Sequence, residues 1–289
     1  GESLRAAFRL LDEHRPEAAI GHGGFASVPL AIAARRRGVP LLLLEQNVVP
    51  GRATSWLSRW AERVCVSFEE TRGVLPKRTP TLVTGNPVRR AITASGGRRR
   101  DARHTTDPPT LLVLGGSQGA AGVNATAVAA LAGSERKDEW RIVHQTGERD
   151  ASAVRAAYSD AGLSAEVAAY FPDLPSRYVE ASLVVSRAGA TTLAELACLG
   201  VPTILVPYPG ALRDHQRKNA EHFASAGGAL IVPEGPTAAD RLRRVLDELS
   251  DAPDRLADMS RAMRALARPD AASAVADVFM PRAVMTRAA

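Results

Sequence analysis

Short apolar runs alternate with stretches of helical period along almost the whole chain. Leu4, Ala7, Phe8 and Leu11 recur at spacings of three and four and predict an amphipathic helix. A short apolar strand follows at 17–20, then a helix over 28–37, a strand at 40–44, a helix near 54–61, a strand at 63–67 and a shorter one at 81–84. The second half restarts with the strand 110–114, a glycine-rich turn and an alanine-rich helix over 120–131. Strands at 141–145, 183–186, 203–206 and 229–232 then alternate with helices near 151–161, 191–199, 214–226 and 238–249. The Ala, Leu and Met spacing over 253–279 predicts a helical tail. Apolar strands separated by helices indicate parallel sheets covered on both faces, because parallel strands need crossover connections. Residues 89–109 break the pattern: they are rich in Arg, Gly, Thr and Pro, have no apolar period, and read as an interdomain linker. The expectation is an α/β chain of two Rossmann-like domains in series.

Composition narrows the class. The 289 residues are 45% hydrophobic and 24% charged, and no run of eighteen apolar residues could cross a bilayer. The net charge of +6 attracts anionic partners such as nucleotides, phosphorylated lipids or acidic membranes. Nucleic acid is not expected, since aromatics make up 4% and no recognition module is present. Cys65 and Cys198 lie far apart in apolar surroundings and read as structural thiols of a reducing compartment. Arg90, Arg98, Arg99, Arg100 and Arg103 read as a solvated basic linker, with Arg89 set apart at its start. The chain opens inside a helix, at Gly1, and reads as the remainder of a longer one.

In such sheets ligands bind outside the carboxyl ends of the strands, so the residues just after each strand hold the candidate chemistry. Gly115-Gly116-Ser117-Gln118-Gly119 follows a strand and opens a helix. Its glycines admit a close ligand, and the helix N-terminus offers free N–H groups to a diphosphate, although a tight structural turn would use the same residues. The run from Arg187 to Glu195 repeats the plan, and Glu195 sits where a carboxylate can accept two hydrogen bonds from a ribose diol. A helix-dipole acid would explain Glu195 alone but not the Gly-Ala-Thr-Thr run before it. Asp214 to Asn219 clusters amide and charged groups able to read sugar hydroxyls, or simply caps a surface helix. In the first half, Glu45-Gln46-Asn47 and Gly85-Asn86-Pro87-Val88-Arg89 each end an apolar strand. His22 and His144 read as satisfied structural histidines, and the lack of any Asp-x-Asp triplet gives no reason to expect a metal or other cofactor.

The collinear order GHGGFAS, LEQNVVPG, GNPVR, LGGSQGA, HQTG, SRAGATTLAE and DHQRKNA resembles the MurG family of bacterial peptidoglycan glycosyltransferases, part of glycosyltransferase family 28, over nearly the whole chain. The resemblance implies a GT-B fold of two Rossmann-like domains with a cleft between them. An acceptor domain would span 1–92 and a UDP-N-acetylglucosamine domain 93–267, with a final helix at 268–289 packing back on the first domain. It implies inverting transfer of N-acetylglucosamine to O4 of N-acetylmuramic acid in lipid I, giving lipid II, at the cytoplasmic face of the bacterial inner membrane with peripheral membrane contact. The implied partners are thus UDP-N-acetylglucosamine and lipid I. Donor contacts would fall on Asn47, Arg89, Ser117, Phe171 through its main chain, Ala190, Thr191, Thr192, Leu193, Ala194, Glu195 and Gln216.

The chain departs from the family at three points, one being that part of the hydrophobic and basic patch with which the family meets the membrane would lie in a segment absent here. Nothing here corresponds to the family's glycine-rich loop of the form GGTGGH, whose His is the family's candidate general base, and Leu44 stands where a His often precedes EQN. Glu45 is the candidate base in what remains. Two other readings stay open: a UDP-sugar transferase acting on another lipid acceptor, and a UDP-sugar-binding fragment without activity.

Overall fold

The structure, a computed structural model, describes residues 1–96, 108–116 and 119–286, with side chains through residue 278. Contacts divide the chain into two compact units, Gly1–Val88 with Arg268–Ala289, and Arg89–Ala267. Arg98, Arg99, Arg100, Arg103 and Ser117 lie outside the described residues.

The first unit begins with α1 (Glu2–His14), β1 (Ala19–Gly21), α2 (Ser27–Arg37), β2 (Leu41–Glu45), α3 (Arg52–Leu57), β3 (Arg63–Val66), α4 (Thr71–Val74) and β4 (Thr81–Val83). Its four described strands are parallel and lie in the order β1-β2-β3-β4. β2 reads Leu-Leu-Leu-Leu-Glu and is buried throughout, as a central parallel strand covered on both faces must be. On one face Leu41, Leu43, Val64 and Val66 pack against Ala7, Leu11, Ala31, Ala34 and Leu57. The alternate residues Leu44 and Cys65 point to the other face.

The second unit contains α5 (Arg90–Ser95), β5 (Thr110–Leu114), α6 (Ala121–Ala132), β6 (Arg141–Gln145), α7 (Ala151–Asp160), β7 (Ala165–Ala168), α8 (Leu174–Glu180), β8 (Leu183–Ser186), α9 (Ala190–Leu199), β9 (Thr203–Leu205), α10 (His215–Ser225), β10 (Ala229–Ile231), α11 (Ala238–Ser250) and α12 (Pro253–Ala265). Six described strands, all parallel, lie in the order β7-β6-β5-β8-β9-β10. Direction of winding reverses beside β5, which makes the gap between β5 and β8 the switch point of the sheet. Leu111, Val113, Leu183 and Val185 form the centre of a core completed by Val123, Leu131, Tyr158, Leu242 and Leu246 from the helices.

Three expectations are corrected. The start of the presumed linker is helical: α5 buries Ile92 and packs on α8 and α9, so Arg89 and α5 belong to the second unit. β7 and α8 were not anticipated; β7 is the four-residue edge strand Ala-Glu-Val-Ala, too short and too polar to show an apolar run. The helical tail is two helices, α12 and α13 (Ala271–Thr286), divided at Pro269, which lacks an N–H and disfavours helical backbone at Arg268. α13 returns to the first unit, where Val275 and Val278 cover Leu44 and Cys65. Arg268 and Ala271 close over Gly85, where an added Cβ would stand 2.5 Å from that of Arg268. Burial under this helix raises the Cys65 thiol above its ordinary pKa, consistent with an inert core residue.

Candidate functional site

Sheet register brings three strand ends of the second unit side by side. Leu114 of β5 is paired with Gln145 of β6 on one side and Ser186 of β8 on the other. Above them lies a cavity of about 280 Å³ lined by the turn Gly115-Gly116, by Arg187, Gly189, Thr192 and Glu195 after β8, and by Tyr170, Leu174 and Tyr178. It thus sits at the switch point, where open parallel sheets bind ligands.

The turn after β5 requires its glycines. Gly116 and Gly119 have φ of +74° and +81°, and a Cβ on Gly115 would lie 2.5 Å from Asn124 Oδ1 and 3.0 Å from the Thr146 carbonyl. Beneath the turn runs a closed polar chain. The Tyr158 hydroxyl lies 2.9 Å from His144 Nδ1, and His144 Nε2 lies 3.0 Å from Asn124 Oδ1. Asn124 Nδ2 donates to the Thr146 carbonyl and to Asp150 Oδ2. With its amide nitrogen so engaged, Asn124 presents only an acceptor to His144, so the proton sits on Nε2 and Tyr158 donates to Nδ1. Burial pushes the His144 pKa down to about 3 and keeps the ring neutral. His144 is therefore the satisfied structural histidine anticipated, and through Asn124 it braces the backbone at Gly115.

Glu195 lies in the second turn of α9 and is 4% exposed. Its carboxylate accepts a two-pronged pair from Arg89, Nε to Oε1 at 2.7 Å and the second nitrogen to Oε2 at 2.9 Å. This bond raises the Arg89 pKa further above its ordinary value. The guanidinium is half exposed, so the pair joins a buried acceptor to a solvent-reachable partner. Arg187, at the end of β8, pairs with Glu234, donates to the Val206 carbonyl at 3.0 Å, and lies over the Tyr208 ring.

Other anticipated residues hold neighbouring loops. Gln216 Oε1 accepts from the Tyr208 amide at 2.9 Å, and Asn219 Nδ2 donates to the Ala188 carbonyl, tying α10 to the turn that precedes α9. The Phe171 amide donates to Gln145 Oε1 at 3.0 Å, and its ring is buried under Arg177. Of the run 190–195, Thr192 and Glu195 line the cavity. Ala190 is buried, Thr191 is exposed and Ala194 is half-buried. Leu193 is wholly buried, with its amide bonded to the Gly189 carbonyl, so it supports the helix and does not face the cavity.

Glu45 and Asn47 belong to the first unit. Glu45, also 4% exposed, accepts from the Asn47 amide (3.1 Å) and Asn47 Nδ2 (3.3 Å) at Oε1 and from the Gly51 amide (3.0 Å) at Oε2. Thr71 adds its hydroxyl to the carbonyls of Asn47 and Val48. A carboxylate bonded this way is held by its own loop.

Sequence reasoning missed Leu174 and Tyr178 because α8 itself was missed; their four-residue spacing, which puts both on one helix face, was the available signal. Arg187 and Gln145 stood in the quoted motifs but were assigned no part. Among the described residues, no three His, Cys, Asp or Glu side chains gather as a metal site would need.

Comparison with known proteins agrees with this architecture. The model for the glycosyltransferase family 28 C-terminal domain matches residues 110–275, and that for the N-terminal domain matches residues 1–66. A Geobacter sulfurreducens protein named UDP-N-acetylglucosamine--N-acetylmuramyl-(pentapeptide) pyrophosphoryl-undecaprenol N-acetylglucosamine transferase is 41% identical over 93% of this chain and 74% of its own length. A protein of the same name from Alkalilimnicola ehrlichii is 42% identical over 97% of this chain and 78% of its own. The crystal structure of Acinetobacter baumannii MurG superposes with a TM-score of 0.78 at 32% identity, covering 95% of this chain and 77% of that one. The two parallel-sheet α/β units are those of a GT-B glycosyltransferase. With both family models matched in chain order and curated relatives near 40% identity over almost all of its length, the chain belongs to glycosyltransferase family 28.

Proposed function

We propose that the chain transfers N-acetylglucosamine from UDP-N-acetylglucosamine to O4 of N-acetylmuramic acid in lipid I, releasing UDP and giving lipid II. The observation that carries this reading is the cavity at the β5/β8 switch point, lined by the Gly115-Gly116 turn and by the buried carboxylate of Glu195. It occurs in a chain whose relatives are named for this transfer.

In this reading the two oxygens of Glu195 accept the two ribose hydroxyls, and Arg89 releases the carboxylate and turns to the donor. The amides of the 115–119 turn, the N-terminus of α6 and Ser117 meet the diphosphate as negative charge builds on the leaving UDP. Uracil is read by the main chain near Phe171, whose amide is engaged by Gln145, which leaves its carbonyl as the main-chain group to meet the base. Gln216 and Asn219 hold the loops around the sugar end, and Thr192 lines its entry. The acceptor hydroxyl attacks the anomeric carbon from the face opposite UDP, inverting its configuration; the bond to UDP breaks with its electron pair staying on the diphosphate, and the hydroxyl proton passes to a general base. Glu45 is the candidate base of the first unit, and its hydrogen bonds hold the loop that carries Asn47.

Contact with the inner membrane is peripheral in this reading. No described helix is long and apolar enough to cross a membrane, while Leu10, Phe25, Trp56 and Val74 stand exposed on the first unit, Phe25 at 90%. The test is transfer of labelled N-acetylglucosamine to lipid I. Lipid II should form from UDP-N-acetylglucosamine and far less product from UDP-glucose; equal use of both donors, or no lipid product, would overturn the assignment.

A further inference from the structure

Tyr178 is a cavity residue that the roles above leave unused. It stands on α8 four residues after Leu174, and α8 packs against β5, α5 and α9. The side chain is 2% exposed, yet its hydroxyl makes no hydrogen bond among the described residues. The oxygen is not one of the fully buried unpaired side-chain atoms, so the hydroxyl of this otherwise buried residue is open to the cavity that the residue lines and is free to meet a ligand there. Nearby charge places it further. Burial raises the Tyr178 pKa first, then the Glu195 carboxylate raises it, while Arg89 opposes the rise. The hydroxyl therefore lies within the field of the Arg89–Glu195 pair without bonding to either member.

Donor and acceptor chemistry then limits what Tyr178 can do. A carboxylate only accepts, so Glu195 can take the two ribose protons but leaves the lone pairs of both ribose oxygens unmet. A neutral phenol donates. We infer that Tyr178 is a further ligand-binding residue of this site, donating its hydroxyl to a ribose oxygen of the nucleoside diphosphate whose diol Glu195 accepts. The inference rests on the reading of Glu195 proposed above. Together the two residues read the ribose from both sides, one taking protons and one giving a proton, and so favour ribonucleotides over deoxyribonucleotides.

Tyr178→Phe removes one oxygen and keeps the ring, so the melting temperature should not fall. Calorimetric titration with UDP, 2′-deoxy-UDP and 3′-deoxy-UDP is the test. UDP should bind the variant about tenfold more weakly than it binds the unaltered chain, the worth of one hydrogen bond. The deoxy analogue that lacks the Tyr178 partner should bind both proteins equally. An unchanged UDP affinity would overturn the inference. An equal loss for all three ligands would also overturn it, because the hydroxyl would then serve the phosphates or the cavity shape. If the folded, unaltered chain bound none of the three, the reading of the site itself would fail, a result separate from either of these.

Discussion

Glu45 and Glu195 are equally buried carboxylates, each 4% exposed, the first at the end of β2 and the second in the second turn of α9. Their partners differ. The oxygens of Glu45 are held by main-chain and side-chain N–H groups of residues 47 and 51, within its own loop. Those of Glu195 are held by one half-exposed guanidinium more than a hundred residues away in sequence. Local amides cannot leave without dismantling the turn, whereas a long arginine side chain can rotate away. Burial alone therefore does not mark a binding carboxylate; the exchangeability of its partner and an adjoining cavity do.

The contrast is open to direct attack. Replacing Glu195 with Gln should weaken UDP binding roughly 100-fold, since two hydrogen bonds to a charged acceptor are impaired. Stability should fall by no more than about 1 kcal/mol, because Arg89 remains half solvated. Titration calorimetry and melting curves together separate the two effects, and a variant that melts early while binding UDP normally would reverse the assignment. Replacing Glu45 with Ala should do the opposite. Three N–H groups lose their acceptor, which costs about 2 kcal/mol in urea unfolding followed through Trp56 and Trp60. UDP affinity should stay within about twofold of the unaltered value.

A smaller effect is expected from the chain beneath the glycine turn. His144 is held near a pKa of about 3, below its ordinary 6.5, so the unfolded chain takes up the proton first. The stability this provides is complete above pH 6.5 and declines as pH falls towards 3, by about 1.4 kcal/mol at pH 5.5. Unfolding free energies measured between pH 7 and 5 should show that slope, and His144→Gln should flatten it. An identical slope in the variant would place the titrating group elsewhere.

Most of this framework was legible in the sequence, because the deciding signals were local. The runs TLLVL, RIVHQ and LVVS are apolar enough to fall within parallel strands, and each is followed by the polar or glycine-rich residues that line or brace the cavity. What stayed hidden depended on packing. α5 carries a single buried apolar residue, Ile92, inside a basic segment, so it gave no period to detect. α8 is seven residues long and begins with Leu-Pro, and without it Tyr178 had no face to occupy. Glu45 and Glu195 look alike as strand-end and helix-start acids, and only their partners' positions in space separate a carboxylate held by its own loop from one held by a distant side chain. The Arg89–Glu195 pair spans a separation over which no sequence period operates.

The claim that Glu195 is an exchangeable acceptor is tested most directly by a crystal structure of the chain with UDP. The account predicts uridine in the cavity at the β5/β8 switch point, both ribose hydroxyls within hydrogen-bond distance of the Glu195 carboxylate, and Arg89 turned away from it. UDP bound elsewhere, or bound here with the Arg89–Glu195 pair intact and the ribose out of reach, would contradict it.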